Sequence, residues 1–139
     1  MKSKVRTIIA TLVVLSMVLF SGAMNSRVKI DYGNSALYSK NEMKEAIELI
    51  VSEVSEWDGC ELCQVSYAGD QVSMEALEYC NRLTMNQLND ECIVLKSSFS
   101  TSKNSKLAGP FEPNSLYTVW MWYLARDNGR SWKIITYGY

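Results

Sequence analysis

The 139-residue chain contains no histidine, and that absence removes the usual general base along with every Ser-His and Cys-His nucleophile arrangement. A Gly-rich phosphate loop is missing too. The C-x-x-C of Cys60 and Cys63 has no second copy and no histidine beside it to complete a zinc site. Basic residues are not in excess: 14 Lys and Arg face 15 Asp and Glu, which argues against nucleic acid, whose binders carry a concentrated basic patch. The most apolar stretch, Ile8 to Phe20, runs for 13 residues and falls short of the roughly 20 that a spanning helix takes. Met24 stands where a lipoprotein would carry its acylated cysteine, so lipid attachment has no acceptor. No internal repeat is present.

What the N terminus does contain is an address. Lys2, Lys4 and Arg6 form a basic n-region, the apolar run follows, and Ser21-Gly22-Ala23 supplies the small residues that a signal peptidase reads. Residues 1–23 are therefore expected to be a secretion signal cleaved after Ala23, which makes the rest secreted or cell-surface. The alternative is a membrane anchor formed by uncleaved residues 7–23. Cleavage leaves 11 basic against 15 acidic residues, a net charge of -4. The remaining length suits one small domain that buries roughly 65% of its unfolded surface. With 47% hydrophobic residues and four tryptophans, that domain can build a packed core.

Residues 24–37 are polar and read as a linker, so the domain is expected over 38–139. Ser39 and Glu42 have the spacing of a capping box, flanked by Tyr38 and Met43 as a hydrophobic staple. Met43, Ala46, Ile47, Ile50, Val51, Val54 and Trp57 then share one helical stripe. Asp58-Gly59 ends the helix, and residues 60–67 read as a strand. Ser73 is placed to cap a short helix carrying Met74, Leu77, Cys80 and Leu83. Residues 91–99 read as a second strand, and 100–115, rich in Ser, Asn, Gly and Pro, as a long loop. A hairpin closes the chain: 116–126, a turn at Asp127-Asn128-Gly129-Arg130, and 131–137. Both faces of its first strand are apolar, which marks an inner strand. The predicted fold is α+β, with one long N-terminal helix packed on a curved antiparallel sheet of about four strands, plus one short helix.

Trp57-Asp58-Gly59-Cys60-Glu61-Leu62 with Tyr67, then Trp120-Met121-Trp122 with Arg126, Trp132 and the terminal Tyr137-Gly138-Tyr139, resembles a family of small uncharacterised bacterial proteins that are secreted or lipid-anchored. The order of elements is similar to the cone-shaped nuclear-transport-factor-like, or cystatin-like, folds. The resemblance covers roughly residues 38 to 139 and implies a fold rather than an activity, since that family brings no catalytic residues with it. The chain departs from it at Met24 and in carrying Cys63, Cys80 and Cys92 in addition to Cys60.

Two groups of residues carry candidate chemistry. In an extended strand, residues three apart point to opposite faces, so Cys60 and Cys63 are poorly placed to meet, and an exchange catalyst would also need a thiol of lowered pKa at a helix start. In an exported protein the plainer expectation for Cys60, Cys63, Cys80 and Cys92 is a disulfide. Four cysteines allow three pairings, and Cys80 is the favoured member, bridged to Cys63 or Cys92, with a worth of about 2 to 4 kcal/mol. The second group is Tyr67, Trp120, Trp122, Tyr123, Arg126 and Trp132. These either line a ligand site, mostly apolar with a few polar groups, or fill the sheet core, in which case Arg126 pairs with Asp127 or Glu112 or stacks on a ring. Glu112 and Asp127 are the carboxylates considered for acid-base work, with nothing in their spacing to single them out.

The sequence thus points to an extracytoplasmic, non-catalytic binding or interaction module with no metal or cofactor. Its partner is expected to be a small ligand, a peptide or a cell-surface protein. The alternative is a thiol-disulfide redox protein using Cys60 and Cys63.

Overall fold

The computed structural model describes residues 27–85, 88–104 and 109–139. The expected signal lies outside them. The fold is α+β: five strands form one open mixed sheet in the order β1-β2-β3-β4-β5, and two helices cover it. The strands are β1 (Lys29–Asp31), β2 (Cys60–Tyr67), β3 (Glu91–Thr101), β4 (Leu116–Arg126) and β5 (Lys133–Gly138), and the helices are α1 (Lys40–Ser55) and α2 (Asp70–Leu83). The β1 strand runs parallel to β2 at the edge, while the other pairs are antiparallel.

The first helix begins where its capping box dictates. Ser39 Oγ accepts from Glu42 N at 3.2 Å and Ser39 N donates to Glu42 Oε2 at 2.8 Å, which satisfies two of the donors that a helix start leaves unpaired. Its stripe of Met43, Ala46, Ile47, Ile50, Val51 and Val54 is buried against Leu62, Val65, Ile93, Leu95, Trp122 and Leu124. Successive strand residues alternate sides, so Cys92, Val94 and Ala125 point to the other face, where Ala76 and Cys80 of α2 pack on them. The helices therefore cover opposite faces. β4 is apolar on both sides because each side meets its own helix.

The structure differs from expectation in three places. A fifth strand exists: residues 29–31, expected within a linker, pair with 64–66. The stretch after it is also pinned, since Asp70 accepts from Ser35 Oγ at 2.5 Å, from Ala36 N at 2.8 Å and from Tyr67 Oη at 2.7 Å. These bonds hold the Asp70 carboxyl below the usual carboxylate range, Ser35 contributing most. Finally, the second helix is not short. Its N-cap is Gly69, whose φ of 115° suits a residue without Cβ, four residues ahead of the expected cap at Ser73. Ser73 is fully buried, and its hydroxyl accepts from Val94 N at 3.0 Å, tying α2 to β3.

Beyond the reach of α2, the second face is lined by Gln64, Ser66, Lys96, Ser98 and Thr118 and open to water. This is the polar side of an antiparallel sheet. The β4–β5 turn places Asn128 and Gly129 at φ of 52° and 65°, the left-handed pair that tight hairpins favour.

Candidate functional site

At the C-terminal end of α1, aromatic rings from five parts of the chain converge. Trp57 follows the helix and stacks on Trp122 at 5.6 Å with 18° between planes. Its other neighbours are Phe99 at 5.6 Å, Phe111 at 5.6 Å, Trp120 at 6.1 Å and Tyr137 at 5.3 Å. Tyr117 and Tyr139 extend the cluster outward through contacts with Phe99 and Trp120. Such spacings lie within the range of favourable ring pairs, so the rings form a continuous wall and not a cage around an empty centre.

That wall bounds an open cleft of about 520 Å³ lined by Trp57, Asp58, Pro110, Phe111, Trp120 and Tyr137. Its lining is predominantly apolar. The polar groups at hand are the Asp58 carboxylate and the Tyr137 hydroxyl, which sits 3.3 Å from Glu53 Oε1. Burial pushes the Tyr137 phenol up, with the Glu53 charge acting in the same sense. The buried indole Nε1 of Trp120 is the one buried side-chain donor or acceptor, among the described residues, without a hydrogen-bond partner. The Trp120 ring meets those of Phe99 and Phe111 edge-on, at 84° and 77° between planes. N–H contacts with ring faces are weak, and an unmet buried donor costs about 1 to 3 kcal/mol.

The residues expected from sequence to line one site are dispersed. Trp120 alone of them borders the cleft. Trp122 lies behind the wall, fully buried, and donates to Ser97 Oγ at 2.8 Å. Tyr123 is on the opposite face, against Tyr79 at 5.3 Å. Tyr67, Arg126 and Trp132 belong to the other end of α1. There Tyr67 packs edge-on to Tyr38, and burial raises its phenol. Trp132 Nε1 donates to the Glu42 carbonyl at 3.2 Å.

Arg126 is 7% exposed. It lies 4.2 Å from the Trp132 ring and pairs with Glu91 at 2.7 Å and Glu42 at 2.5 Å. Stacking on a ring was one sequence-based alternative; the carboxylate partners are different from the Asp127 and Glu112 considered there. Asp127 and Glu112 flank opposite ends of β4, on the order of 30 Å apart by strand rise, and cannot act on one substrate.

Trp57 was legible only as one more residue of the α1 stripe, and Phe111 only as part of a loop. The available signal was the position of Trp57 just past the last helical turn, next to Asp58-Gly59, where a large ring cannot be fully covered by the helix.

All four cysteines are thiols here. Cys60 packs against the first core and burial raises its pKa, the opposite of what thiol exchange needs. Cys63 Sγ lies 3.4 Å from the Glu61 carbonyl of its own strand. Cys80 and Cys92 are buried together. Among the described residues, no group of three His, Cys, Asp or Glu is arranged to hold a metal ion, and no helix is long and apolar enough to cross a membrane. No family model matches the chain, and neither a curated protein nor a solved structure matches it.

Proposed function

We propose that the protein is an extracytoplasmic, non-catalytic binding module whose ligand lies in the cleft of Trp57, Phe111, Trp120 and Tyr137. The observation that carries this reading is an open cleft walled by aromatic rings, with the Asp58 carboxylate and the Tyr137 hydroxyl as its polar groups. Binding sites are concave and mostly apolar, with a few polar groups that fix orientation. The ligand that complements this one is a small molecule, or a side chain of a peptide, with an apolar face and a donor group that can meet the Asp58 carboxylate or the Tyr137 hydroxyl oxygen. Partial exposure of Tyr137 at 39% leaves ring surface for it to cover.

The likeness to small secreted bacterial proteins belongs to the same proposal. The residues that carry it converge in space: Trp57, Trp120, Trp122, Tyr137 and Tyr139 in the ring cluster, and Arg126 against Trp132. The cone-like packing of α1 on β2 to β5 and the export signal are further parts of it.

Intrinsic tryptophan fluorescence, titrated with peptidoglycan fragments and with short proline- and aromatic-containing peptides, tests the reading. We expect a saturable shift for one probe class, weakened in Trp120→Phe and Tyr137→Phe while unfolding temperatures stay close to the parent's. Absence of any shift across both classes, with the variants altered only in stability, would reduce the cleft to a gap in the core.

A further inference from the structure

Cys80 and Cys92 are separated by 3.1 Å between sulfurs, closer than two non-bonded sulfurs ordinarily rest and about 1 Å beyond the length of a disulfide bond. Cys80 lies in the last turn of α2 and Cys92 near the start of β3. Both are buried, among Ala76, Val94 and Ala125. Their approach is set by contacts that do not involve sulfur. Asn89 N donates to Asn81 Oδ1 at 2.8 Å, and Asn81 Nδ2 donates back to the Asn89 carbonyl at 3.0 Å. Thr84 Oγ1 holds the Cys80 carbonyl at 3.1 Å, and Ser73 ties the start of the same helix to Val94. The helix end, the connection and the strand are thus clamped on either side of the sulfur pair.

From this geometry we infer that Cys80 and Cys92 form a structural disulfide when the protein meets a low-molecular-weight disulfide or an oxidising compartment, while Cys60 and Cys63 remain thiols. Of the six single bridges that four cysteines could form, this is the one whose two sulfurs are in contact among the described residues. The exchange runs in two steps. One thiol of the pair loses its proton, and its thiolate attacks the external disulfide, forming a mixed disulfide and releasing one thiol. The second thiol, already in contact with that sulfur, then loses its proton and attacks it, expelling the second external thiol. The protein gives up two protons and two electrons, and the external disulfide gains both. Because both thiols are buried, the exchange proceeds during folding or when the end of α2 lifts. The inference is independent of the ligand cleft, which lies on the other face of the sheet.

The full chain, refolded in a mixture of oxidised and reduced glutathione, is unfolded in iodoacetamide without reductant. It is then digested with trypsin and a glutamate-specific protease. The expected product is Tyr79–Arg82 joined to Cys92–Lys96, about 2 Da lighter than the two dithiol fragments together, with Cys60 and Cys63 alkylated. Reduction is expected to lower the unfolding temperature by about 10 °C. The double variant Cys60→Ser with Cys63→Ser should give the same joined fragment. Recovery of Cys80 and Cys92 as alkylated peptides in excess oxidised glutathione, or joined to Cys60 or Cys63, would overturn the inference.

Discussion

Replacing Arg126 with Met isolates the ion network that fastens the start of α1 to the sheet. The guanidinium donates to both oxygens of Glu91, at 2.7 and 3.2 Å, and to Glu42 Oε1 at 2.5 Å. Glu42 uses its other oxygen to close the helix cap, so one carboxylate serves two structural purposes. A hydrogen bond to a charged group is worth about 1.5 to 3 kcal/mol. Two carboxylate partners would set a ceiling near 5 kcal/mol, in line with the cost of breaking a buried pair. Both carboxylates keep 33% of their side-chain surface exposed and regain water when the arginine is gone, which lowers the expected loss to about 2 to 3 kcal/mol. Met retains the apolar stem over Trp132 and loses only the cation–ring attraction.

Urea unfolding at pH 7, followed by tryptophan fluorescence, should show the midpoint falling by about 1 to 2 M. The pH dependence gives an independent check. The Ser39 N–H, first, and Arg126, second, hold the Glu42 carboxyl below its ordinary pKa. A depressed carboxylate contributes stability that is complete above the unfolded pKa, about 4.3, and is lost as pH falls through the lower folded value. The gap between parent and variant should therefore narrow below about pH 4. A variant within about 0.5 kcal/mol of the parent at pH 7, or a gap as wide at pH 3 as at pH 7, would refute the reasoning.

The two β4 indoles of the ring cluster should respond differently to loss of their N–H: Trp122→Phe strands the buried Ser97 hydroxyl and should cost about 1 to 3 kcal/mol. Trp120→Phe removes a donor that has no acceptor and should leave the midpoint nearly unchanged. Ser73→Ala should destabilise by a similar 1 to 3 kcal/mol, because it orphans Val94 N–H, with amide exchange at Val94 as the local readout. Asp70→Asn weakens the clasp on Ala36 and Ser35, so the Ala36 amide should exchange faster while amides in the middle of α1 do not change.

Much of the fold was legible because local signals agreed with each other. In α1 the cap, the staple and the apolar stripe all point to one helix, and Ser39 and Glu42 form the bonds their spacing implies. The strands from β2 to β5 declared themselves by alternation and by the Asn128-Gly129 turn. The β1 strand gave no such sign: three residues are too few for a period, and its place depends on pairing with residues 64–66 some 35 positions later. Ser73 is a good cap by type, yet a donor on β3 claims its hydroxyl, a long-range contact that overrides local preference. The candidate site was the least legible part. Strand alternation put Trp120 and Trp122 on the same face, correctly, but nothing local reveals that Trp57 stands between Trp122 and the cleft. Nor does it show that Arg126 and Trp132 lie at the far end of the helix.

The two helical layers are unequal partners of the sheet. The one under α1 holds isoleucines, leucines and large rings, whereas under α2 the buried apolar residues are only two alanines, two cysteines and a valine, with Leu77, Met121, Tyr123 and Ile135 partly buried. Detaching α2 wets less greasy surface than detaching α1, so the dithiol form possesses a seam along which it can part below the free energy of complete unfolding, one that a Cys80–Cys92 bridge would close. Proteolytic nicking and spontaneous breathing should begin there, while the opposite half, with its clustered indoles and phenols, stays shut.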